Sequence, residues 1–544
     1  MKNILKTICV SFLILGMTGC DDFLTVNPQD SLVADNYYVS AEAIRQNTAS
    51  LYASGSVWRD VQMCFMWMAG DELAGDLYYT YDQEGQFYYA SFGANNTYST
   101  QGWTGLYRVI GFCNTVINDM PPAAEANGVS DADIQQGVAE ARCIRAIAYY
   151  YLTEFWGDVT IIENNAKMMN EKLYRHQQKD VYEFMRRDLD FAASVLPASD
   201  SQKGRVTKWT AYGMLAKLHL TMASHLSDAN SAENFELAKT YALKVIRDSG
   251  LNIYPDYSTM FDISANNSEE SLFAIQCMVG GYGYGSSRNV SWSRGSVIAD
   301  QTWGAGKGPT LSLQACYDNA DRRRKWVYMT LGDTYPNLNK AGGGYTYNFV
   351  TRDGTGTQIE TPNPMLAHVK KYVIGKSADT DGGVGDAQDA ANNIYLLRLS
   401  DVYLVYVEAC IGAGTSTSDA VAVEVFNQIH HDRAGLASVS SISFDQLIKE
   451  RRCEFAFESI NFFDVKRMYY RDATSAVNYL NGMQRHRAYL LDTTDVSTEN
   501  TRAGYPEDTS VYPITTTASQ MNLPIPGSEL TAMPTLGDAP IAYY

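Results

Sequence analysis

The chain has 544 residues, a formal net charge of −18 and 45% apolar residues. That length suits several domains or one large helical-repeat body, and so acidic a surface repels nucleic acid and anionic lipid headgroups. Tyrosine is the compositional outlier, with 38 against 19 Phe and 8 Trp; its flat apolar face and polar tip suit a wet, stacking surface better than a dry core.

Lys2 and Lys6 precede an apolar run from Ile8 to Met17. A membrane-spanning helix needs about 20 apolar residues, so this run reads as a secretory signal. Thr18-Gly19-Cys20 after it resembles a bacterial lipobox, with Met17 in place of the usual leucine. The signal peptide is residues 1–19. The lipobox resemblance implies that the mature chain begins at Cys20 and that Cys20 carries lipid, a stable anchor because each buried methylene of its acyl chains contributes about 0.8 kcal/mol. Losing Lys2 and Lys6 takes the mature charge to −20.

Helical periodicity is strongest in two blocks, 131–250 and 394–470. In "GVAEARCIRAIAYYYLTEFW", Ile144, Ile147, Ala148, Tyr151, Leu152 and Phe155 share one face. "DVYEFMRRDLDFAASVL" follows and stops at Pro197; "GRVTKWTAYGMLAKLHLTMAS" and "AENFELAKTYALKVIRDSG" form the next pair, ended by Gly250. "NIYLLRLSDVYLVYVEACIG" and "SDAVAVEVFNQIHHDRAGL" form a third. Such lengths fit tetratricopeptide-like pairs, and stacking the pairs is what supplies a core. Outside the blocks, residues 74–104, 280–310 and 341–393 lack helical period and read as long loops, where function concentrates. The first is dense in aromatics, including Tyr78, Tyr79, Tyr81 and Trp103; the second holds Tyr282, Tyr284, Trp292 and Trp303. Trp103 lies in the helix-like "WTGLYRVIGFCN" and reads also as a core anchor.

Catalytic and cofactor motifs fail on spacing. "GGYGYGSSR" does not fit GxGxxG, "GAGKGPT" does not complete a P-loop, and no HExxH or GxSxG occurs. No cofactor and no metal are expected. Cys64, Cys113, Cys143, Cys277, Cys316, Cys410 and Cys453 are odd in number, lack CxxC spacing and sit among apolar residues, so they read as buried, reduced side chains. Asp401 and Glu408 lie one above the other on an apolar helix, roughly 10 Å apart. They read as part of a buried ionic network, together with "LIKERRCEFAFE", rather than as a glycosidase pair.

Several stretches, in order, resemble the SusD/RagB-like family of outer-membrane nutrient-binding lipoproteins of Bacteroidota. These are "FLTVNPQDSLVADNYYVSAEAIRQNTASLY", "AEARCIRAIAYYYLTEFWGDVTII", "GRVTKWTAYGMLAKLHL", "GPTLSLQACYDNADRRR", "YLLRLSDVYLVYVEA", "FNQIHHDRAGL", "ERRCEFAFESINFFDVKRM" and "LPIPGSEL". Ser459-Ile460-Asn461 departs from the family's Gly-x-Arg, and the tail lacks its Gln-Asn ending. The resemblance implies a mainly α fold over residues 20–544, a tetratricopeptide-like helix-pair superhelix with a loop-rich ligand face. It implies a non-enzymatic protein on the outer face of the outer membrane, exported through Asp21-Asp22, that captures a glycan or, in some members, a peptide. Its partner would be a SusC-like TonB-dependent transporter barrel.

A sugar ring has an apolar C–H face and a hydroxyl rim, so aromatic rings and Asn, Asp, Arg or Gln together recognise it. The loops supply Tyr78, Tyr79, Tyr81, Tyr282, Tyr284, Trp292 and Trp303 for stacking, and Asp82, Asn95, Asn96, Arg288 and Asp300 for bonding. The expectation is oligosaccharide capture and delivery to the transporter. Peptide capture, a secreted glycoside hydrolase and a scaffold lipoprotein binding only protein are the alternatives.

Overall fold

The computed structural model describes residues 37–166, 171–386, 388–485, 487–491, 495–510 and 513–544. Cys20 and Asp21-Asp22 lie outside the described residues. The body is a run of stacked helices: α1 Thr97–Asn118, α2 Asp131–Trp156, α3 Gln178–Val195, α4 Lys208–Ala223, α5 Ser231–Asp248, α6 Leu399–Ile411, α7 Ala420–Asn427, α8 Phe444–Phe455 and α9 Asn461–Arg471. Each of α1 to α6 packs against the next, which is the helix-pair superhelix expected. Local sequence sets the ends. Ser130 caps α2, the Thr207 side chain caps α4 together with Thr210, and Gly157 ends α2 with φ +77°.

Two expectations change. The helix α2 is not one-sided: from Ala139 to Trp156 every residue but Arg142 is buried. With it go Tyr149, Tyr150 and Tyr151, and tyrosines elsewhere in the core include Tyr52, Tyr182, Tyr317 and Tyr347. The tyrosine excess therefore serves the interior as much as the surface. It can do so because the hydroxyls find partners there: Tyr52 donates to Glu140 at 2.8 Å, Tyr182 to Glu154 at 2.6 Å and Tyr317 to the Cys453 carbonyl at 2.7 Å. Second, residues 394–398 are a strand, not the start of a helix. Ile394–Arg398 pairs antiparallel with Ser271–Ile275 and is buried throughout; a short apolar run is ambiguous by periodicity alone.

The ionic-network reading holds. Asp401 meets Lys217 and Arg451, each at 2.7 Å, and Glu408 meets Arg467 at 2.8 Å. Arg398 joins Glu458 at 2.7 Å and Glu454 at 3.1 Å; Arg433 joins Glu454 at 2.7 Å. Arg323 reaches Glu450 at 2.6 Å. All lie inside the body, tying α4, α6, α8 and α9 to the loops rather than flanking a cleft. The seven cysteines are free thiols. His430 and His431 turn to different partners, Glu450 and the Leu436 carbonyl, each at 2.7 Å.

Two features position the loops. Leu77–Tyr78 pairs antiparallel with Gly308–Pro309, which ties the two aromatic loops together. A Cβ on Gly308 would stand 2.2 Å from the Ala367 carbonyl oxygen, so the approach requires glycine. Ahead of the first loop come three π-helical turns, Ser54–Trp58, Val61–Phe65 and Met68–Glu72, an uncommon geometry that re-aims side chains and gathers near functional sites. The first loop is also shorter than expected, because α1 begins at Thr97.

Candidate functional site

Where the tied loops meet, an open groove of about 430 Å³ is lined by Tyr79, Tyr81, Tyr98, Tyr282, Trp303 and Trp67. Its polar lining includes Arg59, Asp60, Glu84, Gln101, Lys307 and Gln388. The π-helical segment supplies Arg59, Asp60, Met63, Cys64 and Trp67; α1 supplies Tyr98 and Gln101. The loop carrying Tyr282 is pinned from below by Asp389, whose carboxylate accepts from the Gly280 and Gly281 amides at 3.0 and 2.7 Å.

Of the expected residues, Tyr79, Tyr81, Tyr282 and Trp303 line the groove. Tyr81 is 70% exposed and Trp303 46%, so both side chains are open to solvent. Tyr284 is exposed beside Gly55 but does not line the groove. Tyr78 packs edge-on against Tyr88. Asn95 is exposed, away from the groove lining. Asp82 is exposed with φ +47°, and Asp300 accepts from the Ser377 amide at 2.8 Å.

Three placements correct the sequence reading. Trp292 is fully buried, edge-on to Tyr372 and tilted against Phe457. Arg288 is buried too, donating to the Phe457 carbonyl at 2.7 Å and the Ser459 hydroxyl at 3.1 Å. It holds the turn at the Ser459-Ile460-Asn461 departure, where Phe457 and Ser459 both have positive φ. Asn96 caps α1, its Oδ1 accepting from the Tyr98 and Ser99 amides at 3.0 Å. In each case the side chain is buried inside the body, out of a ligand's reach. Trp103 is a core anchor, edge-on to Trp156 at 5.5 Å.

The groove floor is electrostatically tight. The Lys307 ammonium sits 4.6 Å from the Trp67 ring centre and 4.4 Å from that of Tyr79, with Glu84 at 3.9 Å. Burial lowers its pKa, and Glu84 works against that. Tyr98 donates to Glu84 at 2.8 Å. Beneath, Glu72 is fully buried, and burial followed by the charge of Glu84 holds its carboxyl well above the usual range. Burial also pushes the Cys64 thiol up to about 12. Gln388 is buried, with φ +57° and its Oε1 lacking a donor. The groove thus offers aromatic rings and fixed polar groups side by side. Arg59, Trp67 and Gln388 carry no signal in the sequence, and Lys307 only that of the incomplete P-loop in "GAGKGPT".

Residues 269–541 match the model of the SusD family, and residues 22–220 match a model described as starch-binding, associating with the outer membrane. A SusD-like protein of Bacteroides ovatus is 31% identical over this whole chain and 98% of its own length. SusD-like protein P2 of Formosa agariphila is 25% identical, over 90% of this chain and 96% of its own. A solved structure obtained with a xylogluco-oligosaccharide superposes with a TM-score of 0.81 at 29% identity, covering 92% of this chain and 99% of that one. A SusD-like protein from Bacteroides fragilis, 18% identical, shares the fold with a TM-score of 0.71, over 94% of this chain and 99% of its own. This chain belongs to the SusD family, whose members are helical carbohydrate-binding proteins of polysaccharide utilization.

Proposed function

We propose that this protein captures an oligosaccharide in the groove between the two tied loops and delivers it to a SusC-like TonB-dependent transporter, without chemistry of its own. The carrying observation is the convergence of Tyr79, Tyr81, Tyr282 and Trp303 with Arg59, Asp60, Gln101 and Gln388 on one open groove. Ring faces bury sugar C–H surface at roughly 25 cal/mol per Å², and the polar side chains exchange water for hydroxyl partners. Such a shelf binds moderately and lets go, as handover requires. The relative solved with a xylogluco-oligosaccharide makes that sugar the first to try. Lipid on Cys20 would hold the body at the outer-membrane surface, and the acidic Asp21-Asp22 would mark it for export there.

Titration calorimetry against a panel of neutral and acidic oligosaccharides, with reducing-end assays in parallel, tests this reading. Binding without new reducing ends is the expected result; retention of no glycan, or their cleavage, overturns it.

A further inference from the structure

We propose that the glycan taken by this groove is a largely neutral chain bearing an acidic substituent, a uronate carboxylate or a sulfate ester, that seats on Arg59. The inference rests on the glycan-capture reading above and adds the ligand's charge.

The other charges lining the groove are matched. Asp60 is bridged by Arg108 at 2.6 Å, and Glu84 faces Lys307 at 3.9 Å while accepting from Tyr98. Arg59 is the exception: among the described residues it has no carboxylate partner and no hydrogen bond, and its Nε is shut off from water without an acceptor. Yet it is held in place. Its guanidinium lies over the Tyr282 ring, 4.7 Å from the centre, and a Cβ on Gly283, whose φ is +86°, would stand 2.6 Å from Nε. The glycine is what lets the loop close over the arginine. A planar fork fixed against an aromatic ring at the edge of a sugar-sized groove is suited to a carboxylate or sulfate, which it binds by charge-assisted hydrogen bonds.

Gln388 sharpens the argument. It adds a neutral polar side chain to the lining, suited to a hydroxyl, while the anion goes to Arg59. The chain's overall charge of −18 argues against a dense polyanion, which it repels over a distance of about 10 Å at 0.1 M salt. An isolated acidic group escapes most of that repulsion.

The experiment measures affinity of the full chain for matched pairs: uronate-bearing oligosaccharides and their carboxyl-reduced forms, sulfated ones and their desulfated forms, with heparin as a dense polyanion. The acidic member of one pair should bind roughly tenfold to a hundredfold tighter, more so at low salt, and the pair concerned tells carboxylate from sulfate. Arg59→Gln should erase that preference, Arg59→Lys should keep part of it, and neither should alter unfolding by more than a few degrees. Equal affinity within every pair, or a preference that survives Arg59→Gln, overturns the inference and leaves glycan capture standing. Tightest binding to heparin overturns the sparse-charge reading. Failure to bind any glycan removes both.

Discussion

Lys307 holds its ammonium 4.4 Å from the centre of the Tyr79 ring, joining a residue of the second loop to one of the first at the floor of the groove. The same ammonium faces the Glu84 carboxylate and pulls against the burial that raises the Glu72 carboxyl. Lys307→Met should therefore destabilise the protein by about 3 kcal/mol, at the lower end of what breaking a buried ion pair costs because the contact is long. The double variant Lys307→Met/Glu84→Gln should recover part of that loss. Urea unfolding of the single and double variants at pH 7 measures the coupling.

Exposed and buried tryptophans should separate binding from folding. Trp303→Ala and Tyr81→Ala should each weaken oligosaccharide binding about tenfold, roughly 1.4 kcal/mol, while stability stays within about 0.5 kcal/mol. Trp292→Ala should instead lower stability by about 3–5 kcal/mol, the range for emptying a packed aromatic site. Calorimetric titration and denaturant unfolding on the same preparations distinguish the two patterns.

The ionic network predicts an acid limb. Burial alone would raise the Glu454 and Glu270 carboxyls, but Arg433 and Arg398 overcome it and hold both below the usual value. The unfolded chain then binds more protons than the folded one, so this stability is present above about pH 4.5 and is lost as the pH falls further. Asp71 runs the other way. Burial pushes its carboxyl up to about 8 against the pull of Arg288, so its contribution is full below about pH 4 and is lost as pH rises through 8. Thermal unfolding from pH 3 to 9 should show an acid fall that Glu454→Gln shallows, and a decline from about pH 4 towards pH 8 that Asp71→Asn shallows, the raised Glu72 carboxyl supplying part of the rest.

Lipid anchoring is separable from the body. Cys20→Ala should shift the protein from the membrane pellet to the soluble fraction and abolish incorporation of labelled palmitate. Unchanged fractionation would remove the tether from the proposal.

The helices were legible because apolar spacing and a stopping Pro or Gly, such as Pro197 and Gly250, are local signals, and α2, α3, α4 and α5 all emerge where the apolar spacing falls. So were the two loops, by their loss of period, and four of the groove's rings within them. What failed was orientation. Trp292, Arg288 and Asn96 have the right chemistry, but composition does not say which way a side chain turns, and each is consumed by a distant or capping partner. The ladder of Tyr residues on α2 shows the same limit, since a phenol is welcome in a core that offers its hydroxyl an acceptor.

Sequence by itself determined that this is a chain of stacked helical pairs with aromatic excursions, because periodicity and punctuation act over a few residues. Only the tertiary structure decided which excursions form a site. The contacts that build it, Tyr78 beside Gly308, Arg59 under Tyr282 and Lys307 between Trp67 and Tyr79, join residues about 220 to 240 positions apart in a chain of 544. Nothing in the local pattern of either partner encodes the other; packing of the whole body brings them together.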